Sequence, residues 1–209
     1  MKKVMILAMM LVATIGSVSA QKHNLWELWA TPKAGAVASN FSTHGGDWYF
    51  GPVAGGDAEV FFNDHVSLTF DIHYSRLGSK NVFHDTVIDG ENIHSGPYTY
   101  YMDMLNTEYI GKYYLFNGVA LLSGIHLARI LNAKYTFDGE KSSIKDRLHR
   151  GLVSIPVGLA IDMGKLRLEA KYDFSLNKVP KTASAKKILG QCHEHSVSLT
   201  LGYRINVLW

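Results

Sequence analysis

A period of two in the apolar residues, held over runs longer than ordinary strands, constrains this chain more than any other feature. Val197, Leu199, Leu201, Tyr203, Ile205, Val207 and Trp209 alternate with Ser198, Thr200, Gly202, Arg204, Asn206 and Leu208. Leu166, Leu168, Ala170, Tyr172, Phe174 and Leu176 alternate with Lys165, Arg167, Glu169, Lys171, Asp173, Ser175 and Asn177. Val153, Ile155, Val157, Leu159, Ile161 and Met163 stand opposite Ser154, Pro156, Gly158, Ala160 and Asp162. Val66, Leu68, Phe70, Ile72 and Tyr74 stand opposite Ser67, Thr69, Asp71, His73 and Ser75. Successive side chains of a strand point to opposite faces, so each run has one apolar and one mostly polar face. A helix would group residues three and four apart, and these runs do not.

A soluble β-sandwich also alternates, but its strands usually have about five or six residues. These runs have ten to thirteen, the length a tilted strand needs to cross a bilayer. The polar face is also dense in charge at Lys165, Arg167, Glu169, Lys171 and Asp173. In a membrane barrel that face lines a polar lumen, and the apolar face meets lipid.

The spacing predicts strands near 29–42, 48–62, 65–77, 98–115, 118–136, 150–163, 165–178 and 194–209. Short connections fall at Asn63-Asp64-His65, at Asn117-Gly118, a hairpin signal, and near Met163-Gly164. The connections 78–97, 137–149 and 179–193 are long and polar. Short and long connections alternate, as only an up-and-down meander allows. The expected fold is all-β: an eight-stranded antiparallel up-and-down transmembrane β-barrel with short periplasmic turns and longer extracellular loops. An even strand number puts both termini in the periplasm. The fourth strand alternates poorly over Tyr98–Leu105, and the first carries small residues on both faces.

The N-terminus reads as an export leader. Met1-Lys2-Lys3 is a positive start, Val4 to Val12 an apolar run, and Val18-Ser19-Ala20 a small-residue cut site. The run is shorter than the roughly 20 residues a spanning helix needs. The expected domains are therefore a signal peptide at 1–20 and a barrel at 21–209, with the mature chain starting at Gln21. The chain carries Lys+Arg 21 against Asp+Glu 18, a net charge of +3, and removing Lys2 and Lys3 leaves it nearly neutral. That charge argues against a nucleic-acid partner. One cysteine, Cys192, excludes an intramolecular disulfide framework and a multi-cysteine zinc site.

Parity assigns faces within the barrel. Val66, Leu68, Phe70, Ile155, Val157, Leu159, Leu166, Leu168, Val197, Leu199, Leu201 and Ile205 are expected to face lipid. Asp57, Glu59 and Asp71 are expected on one lumen wall and Arg167, Lys171 and Arg204 on another. Glu169 is expected within reach of Arg204, and Asp162 joins the same charged set. Eight strands leave an interior that side chains fill, and buried charges persist only when paired. A cross-lumen salt-bridge network that closes the barrel follows. Aromatics gather near strand ends, as interfacial girdles require. Trp26, Trp29, Tyr113, Tyr114, Phe116 and Trp209 fall on the turn side, and Trp48, Tyr49, Tyr74, Tyr98, Tyr100, Tyr135 and Phe137 toward the loops. Arg129 shares the parity of the lipid-facing Leu127. About twelve residues above its turn, at roughly 3.3 Å per residue and about 40° of tilt, it stands some 30 Å up, beyond an apolar band of about 25 Å.

Other chemistry has thin support. Cys192-His193-Glu194-His195 offers metal-ligand types at alternate positions, but no second ligand pair follows, and a polar loop entering the last strand accounts for it. His84, Asp85, Asp89, Glu91 and His94 share one external loop; an acid–base dyad there needs hydrogen-bond geometry that sequence does not supply. His73 and His126 point to the lumen by parity and read as members of a polar network. Gly45-Gly46 and Gly55-Gly56 read as turn and barrel-bend glycines. No catalytic residue, metal or cofactor is expected.

The run Gly158 to Leu176 resembles the late hairpin of the PorT-like, or porin-family, small outer-membrane β-barrels of Gram-negative bacteria. Lys33-Ala34-Gly35 is similar to that family's first strand, and Ser196 to Trp209 to its closing strand. The family often has a proline in its fourth strand, where this chain has Tyr101-Met102-Asp103-Met104-Leu105. The resemblance implies an outer-membrane location, contact with outer-membrane lipids, and Trp209 as the signal read by the barrel-assembly machinery. It implies no shared catalytic set. Three functional classes follow. The favoured one is a non-enzymatic structural or interaction protein that presents its loops to an extracellular or periplasmic partner, in an export or adhesion assembly. The others are a small passive diffusion channel and a hydrolase using loop His/Asp residues. Mass spectrometry of the exported chain should find Gln21 at its N-terminus and the protein in detergent-extracted outer membrane; an uncut leader, or recovery in soluble periplasm, would contradict this reading.

Overall fold

The computed structural model describes residues 25–41, 46–89, 92–116, 118–145, 148–179 and 193–208. The leader with its cut after Ala20, Cys192 and Trp209 lie outside the described residues. The strands are β1 (Leu28–Phe41), β2 (Asp47–Phe61), β3 (Val66–Asp89), β4 (Asn92–Phe116), β5 (Val119–Phe137), β6 (Glu140–Ser143), β7 (Gly151–Met163), β8 (Leu166–Ser175), β9 (Glu194–Tyr203) and β10 (Ile205–Leu208). From β1 to β5 and from β7 to β9 each strand pairs antiparallel with the next, and β5 pairs both β6 and β7. The ring closes where β1 pairs β9 from Lys33↔Gly202 to Phe41↔Glu194, and β10 at Leu28↔Leu208. β9 and β10 are one crossing interrupted at Arg204, and β6 is a flap on β5, so eight crossings form the wall. Closure gives every wall strand two partners, which the backbone needs where no water can reach it.

The tight turns follow from their residues. The Asn63 side-chain oxygen accepts from the backbone N–H of His65 and of Val66, each at 2.8 Å, and this local bond folds the chain from β2 into β3. Met163↔Leu166 closes a two-residue hairpin in which Gly164 takes φ 64°, a left-handed conformation glycine adopts without strain.

Two connections differ from their reading as polar loops. Residues 78–97 continue β3 and β4 as a ladder up to Asp89↔Asn92. β2 leaves β3 at Lys80, and β5 leaves β4 at Thr99, so the rest of this hairpin is an arm past its neighbours. Val82, Val87, Ile88 and Ile93 supply β-branched residues for it. Within 137–149, Asp138 at φ 48° and Gly139 at φ 82° turn the chain so that β6 folds back on β5.

Polarity is inverted relative to a soluble protein. Leu199 and Leu201 are 52% and 51% exposed, while Thr200 between them is 3% exposed. Leu68, Phe70, Ile155, Val157, Leu159, Leu166, Val197 and Ile205 are exposed on the same outer face; Val66 and Leu168 are half-buried. On β3 the outward series runs apolar from Val66 to Tyr74 and then meets Arg76. Ten residues at roughly 3.3 Å and about 40° of tilt span about 25 Å, the height of an outer-membrane apolar band. Arg129 is exposed on this face, as its parity dictates.

The aromatic girdle is only partly as expected. Trp26, Tyr113, Phe116 and Trp48 are exposed, but Trp29, Tyr114, Tyr98 and Tyr100 are buried inside the barrel. Their parity is that of Lys33, Lys112 and Met102, so nearness to a strand end does not place them at an interface. Because the outer face meets hydrocarbon at mid-height, Leu199→Arg should cost roughly 2–4 kcal/mol and Leu208→Arg, near the turn-side rim, about 0–1 kcal/mol. Urea unfolding in lipid vesicles measures both; equal costs would contradict the depth assignment.

Candidate functional site

The lumen holds the chain's concentrated chemistry, arranged in three tiers from the turn end to the loop end. The first tier is built on Arg167 of β8. Its Nε donates to Asp162 Oδ1 at 2.6 Å, and its Nη2 reaches Asp162 Oδ2 at 2.9 Å and Glu59 Oε2 at 2.5 Å. The Tyr114 hydroxyl lies 2.9 Å from Glu59 Oε1 and 3.0 Å from Asp162 Oδ2, and Ser67 donates to Glu59 at 2.5 Å. Arg204 holds Asp162 at 2.9 Å and lies over the Trp29 ring, 4.4 Å from its centroid. The inward Trp29 is thus a platform for a buried guanidinium.

The second tier links opposite walls. Lys33 of β1 contacts Asp71 of β3, with Asp57 of β2 and Glu169 of β8 each at 3.3 Å. Lys112 of β4 and Lys171 of β8 stand 3.4 and 3.5 Å from Glu169. Lys171 also reaches Glu108 of β4 at 2.5 Å. The pairing read for Glu169 is therefore different in the structure: three lysines surround it, and Arg204 sits on Asp162.

The third tier joins β3, β4, β5 and β8. His73 Nδ1 donates to Asp71 Oδ1 at 3.1 Å. His126 Nδ1 faces Asp173 Oδ1 and its Nε2 faces Asn106 Oδ1, each at 3.0 Å. Glu108 Oε1 lies 4.0 Å from His73 Nε2 and 3.8 Å from His126 Nδ1. Gly55 allows β2 to approach this tier: a Cβ there would lie 2.4 Å from the Cβ of His73.

Toward the loops the lumen changes character. Val37, Val53, Leu77, Tyr98, Tyr100, Met102, Met104, Ile130 and Leu152 form a buried apolar cluster, with Ile144, Leu148 and Val179 tucked in from the loops. Sequence reading expected a polar lumen throughout and missed this plug. Its signal was the poor alternation of Tyr98–Leu105, where the inward Tyr98, Tyr100, Met102 and Met104 are apolar and the outward Thr99, Tyr101, Asp103 and Leu105 are mixed.

The structure thus brings together Asp57, Glu59, Asp71, Asp162, Arg167, Glu169, Lys171 and Arg204. It adds Asp173, already read on the charged face of β8, and Lys33, Lys112 and Glu108, which sequence reading did not assign to the lumen; their parity on β1 and β4 marks them as inward. The possible ligands near the last strand are separated. Glu194 turns into the barrel at 4% exposure, while His195 Nδ1 lies 2.8 Å from the Tyr172 hydroxyl and His193 Nδ1 3.0 Å from Ser175 O. His84, Asp85, Asp89 and His94 lie on the backbone of the β3–β4 arm; their side chains, and Glu91, fall outside the described residues.

Neither a protein-family model nor a curated protein sequence matches the chain. Solved structures do. Neisserial surface protein A of Neisseria aligns over 86% of this chain and 97% of its own, at 15% identity and TM-score 0.51. Ail of Yersinia pestis aligns over 86% and 99%, at 15% identity and 0.48. The N-terminal β-barrel domain of OprF from Pseudomonas aeruginosa aligns over 88% and 100%, at 13% identity and 0.43. The first likeness is one of fold, an outer-membrane β-barrel.

Removing Arg167 leaves Asp162 and Glu59 buried without their nearest cation. Arg167→Ala should therefore destabilise the barrel by roughly 3–5 kcal/mol, against under about 1 kcal/mol for Arg76→Ala, whose half-exposed guanidinium bonds Asp103 at 2.7 Å on the outer rim. Urea titration of both variants checks this; similar losses would mean that the lumen charges are hydrated.

Proposed function

We propose that this chain is an outer-membrane barrel of the PorT-like, porin-family type, sealed along its axis, that acts by presenting its loop end to a partner. In this reading the leader is removed after Ala20 and Trp209 guides insertion by the barrel-assembly machinery. The apolar belt rests in outer-membrane lipid, and the arm of β3 and β4 stands outside the cell. It works by binding rather than by catalysis, within an export or adhesion assembly.

The observation that carries the reading is the double closure of the lumen. Ion pairs from β1, β2, β3, β4 and β8 meet across the axis, and the apolar cluster fills the loop end. A barrel closed in this way transports little through its axis, so its exposed elements are left to act. The arm supports the same reading, because its strands extend past every neighbour.

The test has two arms. Purified barrel in planar bilayers should give no steady ohmic conductance, and photo-crosslinkers placed at Lys80 and Thr99, at the base of the arm, should capture a discrete partner in native outer membranes. A steady conductance would instead favour the diffusion channel. Hydrolytic activity lost on changing His84 or Asp85 would favour the hydrolase.

A further inference from the structure

We propose that the third tier of the lumen is a binding site for one divalent first-row metal ion of zinc's class, held by His73, Glu108 and His126. Their ligand atoms all lie within 4.8 Å of one another on three adjacent strands. Bonds of about 2.0–2.2 Å place tetrahedral ligands about 3.4 Å apart, so closing on zinc asks for about an ångström of side-chain movement.

The hydrogen bonds around the histidines prepare both rings for a cation. Asp71 is a carboxylate held by Lys33, so it accepts from His73 Nδ1–H. That leaves the Nε2 lone pair of a neutral His73 directed at Glu108. Asn106 is oriented by its own amide, which donates to His73 O at 3.2 Å and to Ser75 Oγ at 2.8 Å. Its Oδ1 therefore accepts from His126 Nε2–H at 3.0 Å. The Nδ1 lone pair of a neutral His126 then confronts Asp173 Oδ1 at 3.0 Å and Glu108 Oε1 at 3.8 Å. Lone pair against carboxylate is repulsive unless a positive charge stands between them. Asp71 and Asn106 occupy the place of the outer partners that fix the tautomer of metal-binding histidines.

Two further observations point to a cation. Glu108 Oε1 is buried and accepts no hydrogen bond, although Oε2 of the same carboxylate is held by Lys171 at 2.5 Å. At and beside this tier four buried carboxylates, Asp71, Glu108, Asp173 and Glu194, face two buried lysines, Lys33 and Lys171. Uncompensated buried charge is costly, and a divalent ion at this tier offsets two of the excess negatives. Asp173 Oδ1 stands 3.0 Å from His126 Nδ1, beside the three-ligand group. With the ion pairs below and the apolar plug above, the ion is taken up as the barrel folds.

The test uses the tag-free mature chain, refolded from urea into detergent micelles with zinc, with magnesium or with chelator, and then desalted. About one zinc per barrel should be retained, with thermal unfolding raised by zinc and not by magnesium. His126→Gln should fold, judged by heat-modifiable gel mobility, and lose that zinc, while His65→Gln and His193→Gln keep it. Cobalt bound to the wild-type barrel should show the intense visible bands of tetrahedral nitrogen and oxygen ligation, a readout that needs no variant. Zinc-free wild-type barrel, zinc retained by a folded His126→Gln, or octahedral cobalt would overturn the proposal, and would leave a second proton on His126 as the charge that faces Asp173.

Discussion

Eight tilted strands leave an interior that side chains fill, so a charge turned inward must find its opposite across the axis. That constraint shapes this barrel. Lys33, Lys112, Arg167, Lys171 and Arg204 each sit among carboxylates from other strands, and no wall is paired only with itself. The outer face, meeting hydrocarbon, carries the Leu, Ile, Val and Phe residues that a soluble protein would bury. The same alternation that satisfies lipid thus delivers the charges to the one place where they must be paired. The backbone is satisfied by ring closure and the side chains by cross-lumen bonding.

The lumen is also graded along its length. Guanidiniums at the turn end give way to lysines, then to the histidine tier, then to Met, Tyr and branched aliphatic side chains. Each boundary changes what can pass. The ionic tiers resist apolar solutes, and the apolar plug resists ions. A conducting barrel needs a continuous wet path, and these two fillings in series work against one. The loop end is left with the arm of β3 and β4 and the β5–β6 flap as its distinctive exposed features.

Much of the fold was legible because period-two alternation is both a local signal and a statement about which face is buried. The β8 run showed its inward set Arg167, Glu169, Lys171 and Asp173 without ambiguity. The alternation failed where the inward face is apolar and the outward face mixed. Over Tyr98–Leu105 of β4 the inward side chains belong to the plug while the outward ones mix Thr99 and Asp103 with Tyr101 and Leu105, so the pattern vanished and the plug stayed hidden. Trp29 and Tyr114 were misplaced because aromatics near strand ends suggest a girdle, while their parity with Lys33 and Lys112 puts them under Arg204 and beside Glu59. The specific partners within the network could not be read, since Glu169 and Arg204 share a wall and only strand stagger decides that Glu169 meets three lysines. The arm was obscured by its polar residues, which a strand outside the membrane can carry on both faces.

Solid-state nuclear magnetic resonance of the isotopically labelled barrel in lipid bilayers tests the central claim most directly, by measuring distances from lysine Nζ to carboxylate carbons. The account predicts that Lys33 and Lys171 give resolved couplings to Asp71 and Glu108 at separations of about 3–4 Å, with their ammonium protons slow to exchange with water. Lysine signals that lack these couplings and exchange rapidly with mobile water would show a hydrated, open lumen and contradict it.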